Sequence, residues 1–292
     1  MERRTDTGPV SPPRSPGREA GRAGLGPKSR GGLGAGVAAG DASAAGAAEA
    51  EAEGEAEATG TMQPPGQSSR PGSREEPARG HAGGLAEPRE PLGPVVDAAF
   101  FRRPAEELAP ALLGLELVHE TPEGLASGII VETEAYAGPE DRGAHSYGGR
   151  RTPRTEVMFG PAGHAYVFAI YGLHFCFNVV AAEPGQPQAV LVRALEPRRG
   201  VELMARRRGL PVTRLRDLTS GPGRLCQALA ITRAQYGLPL FDPRSPLRLH
   251  HPRPPFPVTG VARGPRINID YAGEWKDVPW RFWVAGNPHV SR

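Results

Sequence analysis

The aromatic residues of this chain are confined to one part of it, which limits where a core can form. The chain has 292 residues, and its eighteen Phe, Trp and Tyr residues all lie between Phe100 and Trp283. Residues 1–99 contain none of these and no isoleucine, and Gly, Pro, Ala, Arg, Glu and Ser dominate them. Such a segment cannot bury enough apolar surface to offset the entropy of ordering it. We therefore expect a disordered tail over residues 1–93 and one domain over residues 94–292.

The excess of positive charge belongs to the expected domain. Residues 94–292 hold 24 Lys and Arg against 19 Asp and Glu, whereas the tail holds 11 against 13. Almost all of these cations are arginines, because Lys28 and Lys276 are the only lysines in the chain. Arginine binds phosphate through two parallel hydrogen bonds and stacks on bases, so this composition suits a nucleic-acid partner. A GC-rich genome explains the arginine bias equally well.

Expectations about location and cofactors follow from what the sequence lacks. It has no apolar run of about 18 residues, and its N-terminus has no apolar signal core, although Met62 is an alternative start. We expect a cytoplasmic, nucleoid-associated protein with no membrane contact. Cys176 and Cys226 lie among apolar neighbours and are expected to be reduced core residues. The eight histidines show no metal-ligand spacing, so we expect neither a metal nor another cofactor.

One stretch, residues 129–136, predicts a β-strand that carries two carboxylates. Its sequence is Ile-Ile-Val-Glu-Thr-Glu-Ala-Tyr, which is apolar and β-branched apart from the glutamates. Because side chains alternate along a strand, Glu132, Glu134 and Tyr136 share one face. The alternative to a carboxylate site is an ordinary amphipathic strand with solvated glutamates.

Local patterns predict the remaining elements, and together they indicate an α+β fold. We expect a single mixed domain built on a curved, mainly antiparallel β-sheet with hairpins and surrounding helices, preceded by the tail. The predicted elements are a helix over 104–113, a strand over 115–120 that forms a hairpin with 129–136, a basic loop over 138–163, an aromatic hairpin over 164–180 that turns at Tyr171-Gly172, a strand over 188–194, helices over 201–208 and 220–231 (the latter capped by Thr219 or Ser220), a proline-rich surface loop over 243–257, and closing strands over 266–270 and 280–284.

Two residues in these elements are hard to explain as structure alone. Arg193 ends an apolar strand, where a guanidinium needs a carboxylate partner or a path to solvent. Tyr171 stands next to the hairpin glycine, where a core role is difficult to arrange, and an aromatic ring there could wedge between stacked bases.

Ten short motifs follow one another along residues 94–292. They are Glu-Thr-Glu-Ala-Tyr (132–136), Gly-Pro-Glu-Asp (138–141), Ala-His-Ser (144–146), Gly-Gly-Arg-Arg-Thr-Pro-Arg (148–154), Ile-Tyr-Gly (170–172), Phe-Cys-Phe-Asn (175–178), Arg-Ala-Leu-Glu-Pro (193–197), Ser-Gly-Pro (220–222), Leu-Cys-Gln-Ala-Leu (225–229) and Ala-Gly-Glu-Trp (272–275). In this order they resemble the alkyladenine (3-methyladenine) DNA glycosylase family.

The resemblance implies a base-excision repair enzyme without a cofactor. Such an enzyme, as a monomer on double-stranded DNA, flips out alkylated or deaminated purines: 3-methyladenine, 7-methylguanine, hypoxanthine or ethenoadenine. It then hydrolyses the N-glycosidic bond with a Glu-activated water and leaves an abasic site. Strand cleavage needs an amine nucleophile, and Lys276 is the only lysine of the domain, so we expect a monofunctional enzyme.

The resemblance also implies roles for particular residues. Glu134 matches the general base, Arg193 matches the arginine that helps to hold the attacking water, and the backbone carbonyl of Ile267 matches the third ligand of this water. The other expected site residues are Tyr136, His145, Phe168 and Asn178 in the base pocket, Tyr171 and Leu173 as the DNA wedge, and Arg150, Arg151 and Arg154 at the DNA backbone.

Two departures from the family pattern affect the pocket. Phe168 stands where the animal enzymes carry a tyrosine, so stacking survives but a hydroxyl contact is lost. Residues 266–271 differ from a more glycine-rich family sequence, which leaves the shape of the pocket floor open. His145 is the nearest candidate by pattern for an acid that protonates a neutral leaving base.

Two other functions remain possible on the sequence alone. A catalytically inactive module that binds damaged DNA would keep the basic face and the wedge, but it would not need Glu134 beside Arg193. A hydrolase of free nucleosides would leave the basic loop and Tyr171 without a purpose.

Overall fold

The computed structural model describes residues 91–170 and 174–291, and these form an α+β domain. Its strands form one eight-stranded sheet in which every pairing is antiparallel. The predicted fold class is therefore confirmed for this part of the chain. The tail predicted over residues 1–93 falls almost wholly outside the described residues, so the domain boundary at residue 94 stays a prediction.

The strands and α-helices alternate in short runs along the chain. The strands are β1 (Glu116–Thr121), β2 (Gly124–Tyr136), β3 (Ala165–Ile170), β4 (His174–Ala181), β5 (Gln188–Arg199), β6 (Leu247–His250), β7 (Val261–Gly264) and β8 (Arg281–Val284). The α-helices are α1 (Ala105–Ala111), α2 (Val201–Arg208), α3 (Leu215–Thr219) and α4 (Pro222–Leu229), and short 3₁₀ helices cover Ala98–Phe101, Tyr147–Gly149, Glu156–Phe159, Val212–Arg214, Arg233–Gln235 and Asp270–Asp277. Within the described ranges, no helix has the length and apolarity needed to cross a membrane.

The long strand β2 lies in the middle of the sheet. The strand order is β3-β4-β5-β2-β1-β6, so β5 runs along one edge of β2. On the other edge, β1 pairs with the first half of β2, and β8 pairs with residues 132–134. Because both edges of this segment are hydrogen-bonded, its two glutamates are held in the interior of the sheet.

The two faces of the sheet differ in character. The main apolar core lies between one face and the helices, and Thr133 of β2 donates from Oγ1 to the Ala109 carbonyl of α1 at 2.8 Å on that side. A smaller apolar cluster on the other face contains Met158, Tyr166 and Val180. The predicted face division of β2 is thus confirmed, because its glutamates lie opposite the helices.

Three predicted local features are wrong. The segment predicted as a proline-rich surface loop contains β6, whose Leu247 and Leu249 are fully buried and which pairs with β1. Four residues between prolines show too few alternations to reveal a strand. Residues 266–270 form no strand, because the preceding β7 takes the edge of β8. Helix α4 has Gly221 at its N-cap without a side-chain cap, since the Thr219 hydroxyl donates to the Leu195 carbonyl instead.

Several other local predictions agree with the structure of the described residues. Both cysteines are buried free thiols. The hairpin of β1 and β2, helices α1 and α2, and the strands that flank the aromatic turn occur where they were predicted, although β2 and β5 are longer than expected. The tip of the aromatic hairpin, residues 171–173, lies outside the described residues.

Candidate active site

Side chains on the face away from the helices form a row across four strands. Residues directly opposite each other in antiparallel strands share a face. The register pairs Glu134 of β2 with Leu191 of β5, and Leu191 with Asn178 of β4. Asn178 in turn pairs with Tyr166 of β3. Residues two positions away on the same strands share this face, and they are Glu132, Tyr136, Arg193, Cys176 and Phe168.

Glu134 is fully buried and lies among three donors. Its Oε1 accepts a hydrogen bond from the backbone N–H of Ile267 at 2.8 Å and lies 3.2 Å from Nη1 of Arg193. Its Oε2 accepts a hydrogen bond from the Tyr136 hydroxyl at 2.9 Å. A buried carboxylate requires such partners. The alternative of solvated glutamates is therefore wrong, since neither Glu132 nor Glu134 has any exposed surface (0%).

Arg193 bridges the two glutamates. It donates from Nε to Oε1 of Glu132 at 3.0 Å, while its Nη1 faces Glu134. The register between β2 and β5 shifts on both sides of Glu132, and it leaves Arg193 without a directly paired residue on β2. Irregularities of this kind redirect a side chain next to an active site. Burial works against the guanidinium charge, but the carboxylates of Glu134 and Glu132 outweigh it and raise the pKa of Arg193 above its ordinary value.

Tyr136 is fixed by a second buried ion pair. Asp141 accepts from both terminal nitrogens of Arg266, at 2.5 and 2.8 Å, and the two side chains are fully buried. The Arg266 guanidinium lies 4.8 Å from the ring centroid of Tyr136 and 5.2 Å from that of Trp280. Burial, followed by the charge of Glu134, raises the pKa of Tyr136 well above its ordinary value. The Tyr136 hydroxyl therefore keeps its proton and remains a donor.

His145 anchors the aromatic side of the site and is neutral. Its Nδ1 lies 2.7 Å from the Tyr166 hydroxyl, and Arg154 donates from Nη2 to its Nε2 at 3.3 Å. A guanidinium can only donate, so the ring proton is on Nδ1 and points to Tyr166. Burial, with Arg154 and Arg150 nearby, lowers the pKa of His145 from 6.5 to about 4.

Phe168 and Asn178 complete this side. The ring of Phe168 packs edge-on against His145 with centroids 4.6 Å apart, and the Arg154 guanidinium covers Phe168 at 4.6 Å. Asn178 donates from Nδ2 to the Tyr166 carbonyl at 3.1 Å. Turning this amide over would set two oxygens against each other, so the orientation of Asn178 is fixed.

Comparison with known proteins identifies the family. The profile of the methylpurine-DNA glycosylase family matches residues 99–288. A protein of Bacillus velezensis is 52% identical over 193 residues, which cover 66% of this chain and 94% of the relative. A protein of Bacillus cereus is 50% identical over 202 residues, which cover 66% of this chain and 97% of the relative. Both carry the provisional name 3-methyladenine DNA glycosylase.

The chain belongs to the methylpurine-DNA glycosylase family. It is a DNA glycosylase of base excision repair, a hydrolase of N-glycosyl bonds whose substrate is DNA. The family relationship predicted from the ten motifs is confirmed.

The structure brings most of the predicted site residues of this glycosylase into two adjoining clusters. Glu134, Arg193, Ile267 and Tyr136 form the first, and His145 and Phe168 form the second, with Asn178 on the strand between. Burial raises the pKa of the Cys176 thiol to about 11, and the charges of Arg193, Glu134 and Arg154 all act on it. Cys176 pairs with Phe168 of β3, and its own strand β4 lies next to β5, so this thiol is on the strand between the two clusters.

Some predicted roles remain predictions. The backbone N–H of Ile267 donates to Glu134, whereas the contact of its carbonyl with the attacking water stays a prediction. Tyr171 and Leu173 lie outside the described residues, so the wedge stays a prediction. The loop arginines Arg150, Arg151 and Arg154 are exposed; Arg151 already forms an exposed ion pair with Glu156, of the kind that contributes little to stability.

Sequence reasoning missed four residues that support the site: Asp141, Arg266, Arg281 and Ser291. Arg281 opens a short apolar strand, so it carries the same signal that singled out Arg193. Asp141 ends the Gly-Pro-Glu-Asp motif (138–141), but its partner Arg266 is 125 positions away in sequence. No local signal indicated Ser291, because its contact depends on where the last described segment folds.

We predict that the partly buried, neutral His145 makes the stability of the protein pH-dependent. The folded protein binds fewer protons than the unfolded chain between pH 6.5 and about 4, so its unfolding free energy falls as the pH drops through this window. Over this window, the unfolding free energy of the wild type should fall by up to about 3 kcal/mol more than that of His145→Gln. Denaturant unfolding of both proteins from pH 4 to 8 measures the difference. It should be constant between pH 7 and 8, and a constant difference down to pH 4 would contradict the assignment.

Proposed function

We propose that this glycosylase flips alkylated or deaminated purines out of duplex DNA and, acting as a monomer, leaves an abasic site. The observation that carries the proposal is Glu134, a fully buried carboxylate beside Arg193 on the face that also holds the aromatic cluster. The provisional names of the relatives favour 3-methyladenine among the substrates. The resemblance adds 7-methylguanine, hypoxanthine and ethenoadenine.

In the proposed reaction, Glu134 orients and deprotonates the water that attacks the sugar. Hydrolysis of a glycosidic bond passes through an oxocarbenium-like state, which a nearby carboxylate stabilises. Arg193 lies 3.2 Å from Glu134 and supplies a positive charge next to this carboxylate and its water. The peptide segment at Ile267 lies against the same carboxylate, which supports its carbonyl as the third ligand of the water.

The proposed pocket receives the flipped base between Tyr136 and the pair of His145 and Phe168. The Arg266 guanidinium covers one face of the Tyr136 ring, so a base would stack on the other face. Neutral His145 does not repel a cationic purine, and the aromatic rings attract one by cation–π interaction. Strand β2 is separated from β3 by two strands, which gives about 14 Å between their backbones for the rings and the base.

The hydrogen bonds of His145 argue against it as the acid for neutral lesions. Its single proton is directed to Tyr166, and its other nitrogen accepts from Arg154. A neutral imidazole in this state has no proton to give to a leaving base. His145 is therefore proposed as a stacking residue rather than as an acid.

Replacing Glu134 should abolish excision while leaving DNA binding intact. Glu134→Gln keeps the size of the side chain but removes the base, so single-turnover release of hypoxanthine and 3-methyladenine from duplex DNA should fall by about 100-fold or more. Affinity for the same duplex should change by less than about threefold, because the variant loses no contact with the DNA backbone.

The wild type is the reference for this comparison. If the wild type binds damaged duplex but releases no base, the chain is a damage-binding module. If Glu134→Gln retains the wild-type rate, Glu134 is not the base.

We predict that the enzyme does not cut the strand. Lys276, the only lysine among residues 94–292, is exposed on the 3₁₀ helix Asp270–Asp277, whereas Glu134 is fully buried. Without an amine at the sugar no Schiff base forms. Borohydride added during turnover should trap no covalent protein–DNA adduct, and a trapped adduct that disappears in Lys276→Arg would contradict the prediction.

A further inference from the structure

We propose that Glu132 is a positioning residue for the glycosylase reaction, and that Arg281 and Ser291 complete a buried clamp through which it holds Arg193 against Glu134. The inference rests on the proposed role of Glu134 as the base. It concerns three residues that the motifs did not single out for a role.

Glu132 accepts hydrogen bonds from four donors. Its Oε1 accepts from Nε of Arg193 at 3.0 Å, from Nε of Arg281 at 2.7 Å and from Oγ of Ser291 at 2.9 Å. Its Oε2 accepts from the backbone N–H of Ser291 at 2.6 Å. A carboxylate offers about four acceptor positions. Three donors lie on Oε1 and one on Oε2, so both oxygens are held and the orientation of the Glu132 carboxylate is fixed.

The clamp fixes the direction of the Arg193 guanidinium. Because Nε is bound to Glu132, the planar group can present only its terminal nitrogens elsewhere, and Nη1 faces Glu134 while Nη2 lies 3.4 Å from Oγ of Ser291. Without Glu132, Arg193 and Arg281 would each lose a partner, and Arg193 would be free to turn away from Glu134. A displacement of about 1 Å at a reacting group can cost about 100-fold in rate.

Charge balance explains why Arg281 belongs to the clamp. Glu132 and Glu134 are two buried negative charges on one face of β2, and a single arginine would leave this group with a net charge. Arg281 of β8 pairs across from Glu134 in the sheet and supplies the second positive charge, 2.7 Å from Glu132. Two carboxylates and two guanidiniums then balance in a group whose carboxylates are fully buried.

The segment that carries Ser291 is itself anchored. Asn287 donates from its backbone N–H to the Val284 carbonyl at 3.2 Å and from Nδ2 to Oε2 of Glu196 at 2.6 Å. The first bond closes the turn after β8, and the second fastens this turn to strand β5. Ser291 therefore reaches Glu132 from a fixed backbone, and the clamp couples the last described segment of the chain to the site.

The test is a double-mutant cycle on single-turnover excision of hypoxanthine from duplex DNA. Glu132→Gln should lower the rate by about 10- to 100-fold with DNA affinity changed by less than about threefold. In an Arg193→Met background the same substitution should have no further effect on the rate, because Glu132 acts only through Arg193. Ser291→Ala, which removes one donor and is the milder change, should lower the rate by a few fold.

Glu116 provides a matched control. It is fully buried and, like Glu132, accepts from a serine hydroxyl, Ser127 at 2.6 Å, and from an arginine Nε, Arg199 at 3.2 Å. It lies on β1, outside the site. Glu116→Gln should lower the unfolding free energy much as Glu132→Gln does, but it should leave the excision rate unchanged.

The outcomes separate the inference from the proposed function. If Glu134→Gln is inactive but Glu132→Gln and Ser291→Ala excise at the wild-type rate, the clamp is structural only and the inference is overturned while the proposed function stands. Additive losses in the Arg193→Met background, or an equal loss in Glu116→Gln, also overturn it. If Glu134→Gln excises at the wild-type rate, the proposed function fails and the inference fails with it.

Discussion

The structure of this glycosylase depends on a group of charges buried in the middle of a β-sheet. Glu132 and Glu134 have no exposed surface, and Arg193 and Arg281 neutralise them from the neighbouring strands. Removing one partner from such a buried pair costs about 3–5 kcal/mol, because the remaining charge is left without compensation. Apolar residues at these positions would make a simpler core, so the charges are better explained by chemistry than by stability. The sheet supplies the rigid frame that such a site requires.

The same frame relates the chemical group to the aromatic pocket. The register across β2, β5, β4 and β3 sets Glu134 in line with Asn178 and Tyr166, so hydrogen-bonded strands define the spacing between them. The basic loop after β2 is fastened to this frame by Asp141, which binds Arg266 and also accepts from the backbone of Ala137 and Gly143. A loop tied in this way can carry His145 to the aromatic cluster while Arg150, Arg151 and Arg154 stay exposed.

Local patterns predicted much of the fold and part of the site. Alternation in residues 129–136 indicated the strand and its acidic face. Arg193 after an apolar run indicated either a carboxylate partner or a path to solvent, and the structure shows the carboxylate partner. Strand β6 was missed because four residues between prolines show too little periodicity. Ser291 could not be predicted, since its contact with Glu132 spans 159 positions and no local signal encodes it. The protonation of His145 depends on burial and on Arg154, so it required the tertiary structure.

The most direct test of this account is a crystal structure of Glu134→Gln bound to duplex DNA that contains ethenoadenine. The account predicts that the lesion is flipped out of the helix and lies between Tyr136 and the pair of His145 and Phe168. Its sugar C1′ should face residue 134, with a water held by that side chain and Arg193. A lesion that stays stacked in the duplex, or one bound on another face of the sheet, would contradict it.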